Sequence, residues 1–309
     1  MAVFGTSDLK VMLPRNIGDR MVTAAKSTST VAKLSTAEPM RFGSVDYITF
    51  NALPKMEYVE EGADKASQTF GMSSVTAKPH KGQVTFRFNE EVQWADEDYQ
   101  LGLLSEIADA GRVALSRGLD LGLYHRINPL TGAAITGWDN YLTTTTKRVE
   151  IGTAEADADL RTSVGLLMEG GGAVNGLAMD PKFAFRLASL QNQLVTGADG
   201  ATIAMGQRYP TLGFGADVTS FLGINTAVGD TVSGTPEAAD TKVRAIVGDF
   251  QNGIRWGVQR ELPVEIIRFG DPDGQGDLKR KNQIALRLEI VYGWYVDAAR
   301  FAVVEDKVA

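Results

Sequence analysis

The stretch that most constrains this chain runs from Asp96 to Arg126 and reads as one uninterrupted helix. Asp96 can cap its start, and Glu97 and Asp98 put negative charge in the first turn, where the helix dipole favours it. Leu101, Leu104, Ala108, Leu115 and Leu119 recur at spacings of three, four and seven, so they share a face. Leu103, Ile107, Ala110 and Ala114 form an adjoining stripe. About 30 helical residues span roughly 45 Å, more than most globular helices. Gly102, Gly111, Gly118 and Gly122 lie inside it, each costing about 1 kcal/mol against alanine. That cost points to close approach by other backbone, or to a bend. Two readings stay open: a core helix of an α/β enzyme, or a spine that braces a flat protein.

A chain of 309 residues has room for one large domain or two ordinary ones, and 44% hydrophobic residues supply a real core. The net charge of −7 argues against an electrostatic nucleic-acid binder. With no cysteine, thiolate catalysis, disulfides and cysteine–zinc sites are excluded. No apolar run approaches the ~18 residues of a membrane span, and Met1 to Lys10 lacks the pattern of a signal peptide. The expectation is a soluble protein made inside the cell, with no membrane partner.

Residues 1–40 are polar, with sparse apolar anchors at Val22, Val31 and Leu34 and a short helix predicted over Ile17 to Lys26. Alone, such a segment buries too little to offset its ordering, so neighbouring subunits are expected to hold it. Residues 41–93 read as strands, clearest at Val45 to Phe50 and where Val84, Phe86 and Phe88 alternate with polar residues. The weakly apolar tract between them, with Pro54, Gly62, Gly71, Pro79 and Gly82, reads as a long two-stranded loop. An isolated hairpin is marginal in water, so it packs on its own body or on a partner.

After the spine, Asn128-Pro129 breaks the helix, and Trp138 and Tyr141 are candidate anchors of the segment that follows. Asp157 to Met168 reads as a helix ended by Gly170-Gly171-Gly172, and Val174 to Met179 as a strand. Asp180-Pro181 starts another helix running to about Leu190. Short strands follow around Phe221 to Ile224, then strands at Lys242 to Gly248, Ile254 to Val258 and Val264 to Phe269. The clearest alternation in the chain is Ile284, Leu286, Leu288, Ile290 and Tyr292, and Phe301 to Val304 closes the chain. No internal repeat or flexible linker is evident, and the two bodies are expected to share elements from both ends of the chain.

A search for chemistry returns little. The two histidines, His80 and His125, have no nucleophile-elbow sequence nearby. Gly170-Gly171-Gly172 precedes a strand, the reverse of the order that cradles a phosphate, and reads as a helix stop. Asp271 to Asp277 resembles the start of a calcium loop, but Gln275 and Asn282 stand where ligands belong, so a polar turn is the better reading. Glu60-Glu61 and Glu90-Glu91 are adjacent, so on a strand they point to opposite faces. No catalytic, cofactor-binding or metal residue is assigned. What remains points to assembly: a dependent arm, a dependent hairpin and a long brace.

Three anchors carry a resemblance. Val59-Glu60-Glu61-Gly62-Ala63-Asp64-Lys65 is similar to a recurrent V-x-E-G-x-x-K. Lys78-Pro79-His80-Lys81 followed by Val84 to Glu91 resembles a return strand ending in Glu-Glu before a spine helix. Val247-Gly248-Asp249-Phe250, Asn282 to Arg287, Val296-Asp297 and Phe301 to Val304 form the third. In this order around a long helix they resemble the major capsid proteins of tailed bacteriophages, with the Hong Kong ninety-seven type fold, over most of the chain.

The resemblance implies an α+β capsid fold. Residues 1–40 would be an N-arm, 41–93 an extended E-loop hairpin, and 94–159 a P-domain with the spine helix. Residues 160–245 would be a mixed α/β A-domain, and 246–309 strands returning to the A- and P-domains. It implies a structural, non-enzymatic protein that self-assembles as hexamers and pentamers into an icosahedral shell around double-stranded viral DNA, which it encloses without specific binding. Glu60, Glu61 and Lys65 become candidate inter-subunit contacts, Lys65 as a salt bridge in preference to an isopeptide crosslink. With the E-loop starting about 45 residues from Met1, a built-in scaffolding segment has no room, so a separate scaffolding protein is expected. A portal and a decoration protein are further implied partners, with assembly in the host cytoplasm and final placement in the virion capsid. No cofactor is implied. Two alternatives are an encapsulin-like nanocompartment shell, disfavoured by the polar extended N-terminus, and a soluble α/β enzyme whose hairpin packs at home.

Overall fold

A computed structural model of the chain describes residues 29–38, 45–50, 56–65, 67, 72–90, 97–152, 155–192, 195–196, 202–203, 206–210, 212, 218–261 and 265–307. The helices are α1 (Thr30–Leu34), α2 (Glu97–His125), α3 (Ala156–Glu169), α4 (Pro181–Ala188) and α5 (Phe250–Gly253). The strands are β1 (Val45–Phe50), β2 (Met72–Ala77), β3 (Pro79–Asn89), β4 (Arg148–Glu150), β5 (Gly176–Met179), β6 (Val195–Thr196) and β7 (Thr202–Ile203). They continue with β8 (Ser220–Phe221), β9 (Ile224–Val228), β10 (Val243–Gly248), β11 (Ile254–Glu261), β12 (Glu265–Ile267), β13 (Gln283–Val296) and β14 (Phe301–Glu305). The fold is α+β, as the resemblance implies.

Two sheets organise the body. One is six-stranded in the order β4-β14-β10-β5-β9-β8, and β10 and β5 at its centre are buried at every position. The other is built on β13, which pairs with β3 along one edge and with β12 and β11 along the other. The C-terminal strands thus complete both sheets: β11 to β13 one, β14 the other. Each sheet draws its strands from separate parts of the chain. β3, placed within the 41–93 excursion, belongs to the body, because it pairs with β13 without interruption from Pro79↔Gly293 to Asn89↔Gln283. Val84, Phe86 and Phe88 pack from it onto the core.

The expected spine is α2, 29 residues long, beginning at Glu97; Asp96 lies outside the described residues. Three of its glycines face β13 or its neighbours in step. A Cβ on Gly111 would meet Leu288 at 3.1 Å and Phe86 at 3.3 Å. One on Gly118 would meet the Tyr292 hydroxyl at 3.4 Å, and one on Gly122 would meet Trp294 at 2.8 Å and Trp138 at 3.2 Å. Contact partners climb β13 as the helix number rises, so helix and strand run the same way. The close approach anticipated at these glycines is real, but it is made by large side chains of the sheet. Leu115 and Leu119 are buried as expected, and Ile107 packs against the core. The second stripe breaks: Ala110 and Ala114 are exposed, because the sheet covers the glycine face and leaves theirs in water.

Ile17 to Lys26 lies outside the described residues, and Ser29 to Glu38 packs on the chain's own body. Val31 and Leu34 of α1 are in the main core. Ser29 caps the helix by accepting from Ala32 N at 3.0 Å, and Ala37 bridges to Trp256 of β11. The sequence gives this stretch few apolar residues, yet polar partners elsewhere compensate: the Asp120 carboxylate accepts from the Ser29 hydroxyl, Thr30 N (2.8 Å), the Thr30 hydroxyl (2.9 Å) and Val31 N (3.3 Å).

The remaining elements follow their local chemistry. Asp180 caps α4 by accepting from Lys182 N at 2.8 Å, with Pro181 in the first turn. Trp138 packs edge-on against Trp294 with centroids 5.2 Å apart, and Tyr141 takes the Arg126 guanidinium 4.9 Å above its ring. Gly122→Ala should destabilise the unassembled chain by about 1–3 kcal/mol, since the new methyl drives into two tryptophan rings. Gly165→Ala in α3, where nothing lies within 4 Å, should stabilise it by up to about 1 kcal/mol. Urea unfolding of the two variants side by side measures both signs.

Candidate assembly surfaces

The most exposed described element is the hairpin. β1 and β2 form a two-stranded antiparallel sheet, in register from Val45↔Ala77 to Phe50↔Met72. Its root is tied to the body. Tyr47 stacks on Tyr295 of β13 with centroids 5.2 Å apart, and the Arg255 guanidinium lies 5.8 Å from the Tyr47 ring centre. The Thr76 hydroxyl donates to Asp46 at 2.5 Å across the strands, and Ala77 is buried at the base.

Toward the tip, every residue from Met56 to Lys65 is exposed. Tyr58 is 92% exposed and Met56 71%, in a place where such side chains gain nothing from the chain's own core. The tip turns at Glu60 to Ala63: Ala63 N donates to Glu60 O at 3.1 Å, and Gly62 takes φ +87°, which glycine alone adopts freely. The sequence-predicted contacts Glu60, Glu61 and Lys65 are therefore gathered on one exposed turn. Among the described residues none of the three side chains has a hydrogen bond or ion pair. Glu57, Glu60, Glu61 and Asp64 against the single Lys65 leave the stretch 56–65 with a net charge of −3 (four acids, one base). What the tip offers is apolar area and negative charge to another surface.

The other candidate residues are absorbed by the fold. His125 is buried at the end of α2, its Nε2 2.8 Å from the Val232 carbonyl, and burial pushes its pKa down to about 4. His80 lies between Trp138 and Trp294, with centroids 3.9 and 4.5 Å away, and burial lowers its pKa to about 4 as well. Gly170-Gly171-Gly172 stops α3: Gly171 N donates to Met168 O and Gly172 N to Leu167 O, both at 2.9 Å. The 271–277 loop is filled by the chain's own cation. Arg87 donates to Asp273, to Asp271 at 3.3 Å and to the Gly276 carbonyl at 2.9 Å, so a polar turn is the correct reading. Glu90 pairs with Lys279 at 3.3 Å, and Glu91 lies outside the described residues. One residue the sequence reading missed is Asp120, fully buried and also bonded by Thr231 at 2.8 Å. Its signal was present: an acid between Leu119 and Leu121, on the spine.

The profile of the Phage capsid family matches residues 10–305. A solved chain of Mycobacterium phage Ogopogo is similar at 39% identity and a TM-score of 0.78, covering 99% of this chain and 100% of its own. A chain of Gordonia phage Cozz follows at 26% identity and a TM-score of 0.76, over 91% of this chain and 87% of its own. A chain from the capsid of a native GTA particle shares the fold at 15% identity and a TM-score of 0.58, over 92% of this chain and 91% of its own. No curated protein matches.

The buried histidine makes acid a stress on the subunit. The ordinary pKa of 6.5 falls to about 4 in the folded state, so between these values the unfolded chain binds the proton more readily. The stability tied to a neutral His125 is complete above pH 6.5 and is lost progressively toward pH 4, by about 3 kcal/mol at most. Melting of the unassembled chain between pH 7 and pH 4.5 should show this slope. His125→Gln, which keeps a donor for the Val232 carbonyl, should reduce it to the part carried by His80.

Proposed function

The chain belongs to the phage capsid family, and from that premise we propose how its parts share the work of building a shell. It is a structural major capsid protein, not an enzyme, and its place is the oligomeric shell of a virion capsid. In our reading the β1–β2 hairpin is the E-loop that reaches onto an adjacent subunit. Its exposed tip is the observation that carries this: apolar side chains and unpaired charges on a hairpin marginal in isolation gain burial from a neighbour. The sheet around β13 with α2 acts as the P-domain, and the six-stranded sheet with α3 and α4 as the A-domain. Residues before Ser29 serve as the N-arm.

Glu60, Glu61 and Lys65 are the proposed inter-subunit contacts of the tip. Lys65 makes a non-covalent ion pair with a neighbour. Each exposed pair is worth under about 1 kcal/mol, and repetition over the shell makes it count. Subunits assemble in the host cytoplasm as hexamers and pentamers, by heterologous contacts that close into rings. A separate scaffolding protein, a portal and a decoration protein complete the proposed partners. Double-stranded DNA is enclosed without specific binding, in keeping with the net charge of −7.

Negative-stain electron microscopy tests the central claim. The full chain, co-expressed with its phage's scaffold where one is required, should give closed shells. Replacing residues 51–71 by a short Gly-Ser turn should leave a folded subunit with the parent's circular dichroism but abolish shells. Persistence of normal shells without the hairpin tip would remove the E-loop assignment. On a denaturing gel, mature particles should run as one band at the monomer position, whereas a ladder would replace the Lys65 ion pair with a covalent link.

A further inference from the structure

Three parts of the chain that are separate in sequence meet on one side chain, Arg255. Its Nη1 donates to both carboxylate oxygens of Glu38, at 3.2 and 3.3 Å. Its guanidinium faces the ring of Tyr47 at the hairpin root, 5.8 Å from the centroid. In the sheet it stands directly opposite Tyr295, the residue on which Tyr47 stacks. Glu38 is in turn held to the same strand, its N–H donating to the Trp256 carbonyl at 2.8 Å. Among the described residues no hydrogen bond joins Glu38 to the hairpin, and the guanidinium faces both.

The chemistry of this joint suits a coupling more than a lock. Both partners of the ion pair are partly exposed, at 42% for Arg255 and 44% for Glu38, so the pair is weak and can yield. A guanidinium is planar and can pair in its plane while presenting its face to a ring, so one group serves two partners in one orientation. Losing Glu38 frees the plane to turn and spoils its fit to Tyr47. The electrostatics run the same way: burial raises the pKa of Tyr47, Glu38 adds to that rise and Arg255 opposes it, which places all three within mutual reach.

We propose that Arg255 couples the N-terminal segment to the hairpin, so that displacing the segment at Glu38 loosens the hairpin at its root. This rests on reading the hairpin as the inter-subunit arm. It adds that the arm's setting is governed from inside its own subunit, by a segment that among the described residues makes no hydrogen bond to the hairpin. A neighbour that pulled on the N-terminal segment would thereby change how the hairpin meets its own target.

Hydrogen–deuterium exchange on the unassembled full chain tests this, with the buried β10 strand as an internal check on folding. Glu38→Gln should speed exchange in β1 and β2 by about two- to fivefold, the scale of a partly exposed ion pair, while β10 stays protected. Arg255→Gln should do the same, and the double variant should add nothing on the hairpin. Tyr47→Phe, which keeps the ring, should leave the response to Glu38→Gln intact, and Tyr47→Ala should abolish it. Unchanged hairpin exchange in Glu38→Gln, or additive effects in the double variant, would overturn the proposal. Electron microscopy of the parent chain, co-expressed with its phage's scaffold where one is required, separates this from the function reading: shells without coupling reject the joint alone, and coupling in a chain that forms no shells even with the scaffold rejects the arm reading alone.

Discussion

The subunit depends on the burial of one carboxylate. Asp120 sits in α2 fully removed from water, and no cation hydrogen-bonds to it among the described residues. A charge so placed costs several kcal/mol unless donors replace its hydration. Here Ser29, Thr30 and Val31 replace it from one side and Thr231 from another. Burial still raises the Asp120 pKa, and the donors pull against that rise. The arrangement works only if a segment some 90 residues earlier in the chain is already in place. The N-terminal segment is therefore part of the core. The Thr30 hydroxyl also meets the Tyr124 hydroxyl at 2.9 Å, one turn further along the same helix.

From that fixed helix the structure builds outward. Because α2 is anchored through Asp120, its glycine face is pressed to the sheet, and bare backbone at Gly118 and Gly122 leaves room for Tyr292, Trp294 and Trp138. Those rings hold His80, the second residue of β3, in a stack that admits only a neutral imidazole at ordinary pH. β3 follows β2 after a single residue, Lys78. The hairpin thus springs from this aromatic layer, and Tyr47 on Tyr295 repeats the same aromatic device. Helix, aromatic layer and hairpin root form one mechanical line.

Much of this was legible in the residues, because the signals were periodic. The length of α2, the alternation of β13 and the cap at Asp180 are local properties, and each appears where the pattern predicts it. What could not be read was pairing between distant parts. β3 looked like part of an excursion because strand periodicity does not say which strand is the partner. Ser29 to Glu38 looked dependent on neighbours because its ordering is supplied by polar bonds to Asp120 and by Trp256, which donates from its indole to Ser35 at 2.9 Å. Hydrophobic bookkeeping misses such bonds. Ala110 and Ala114 looked buried because a helical stripe does not announce which of two adjoining faces the sheet will cover. The tip residues Glu60, Glu61 and Lys65 were singled out by motif, and all three are exposed.

A subunit with this surface also has to avoid the wrong partner. Four of the ten large apolar side chains exposed among the described residues, Ile48, Met56, Tyr58 and Val59, lie in the hairpin. Two such tips meeting symmetrically would bury that area and end assembly at a dimer, since a twofold contact uses the same patch on both sides. The charge of the tip works against that outcome. With four acids and one base in ten residues, tip against tip sets like charge on like charge, and the apolar gain is offset by repulsion across a low-dielectric contact. Tip against a less acidic part of another subunit meets no such opposition. The acidity of the hairpin thus favours the heterologous contact, and only heterologous contacts continue around a ring.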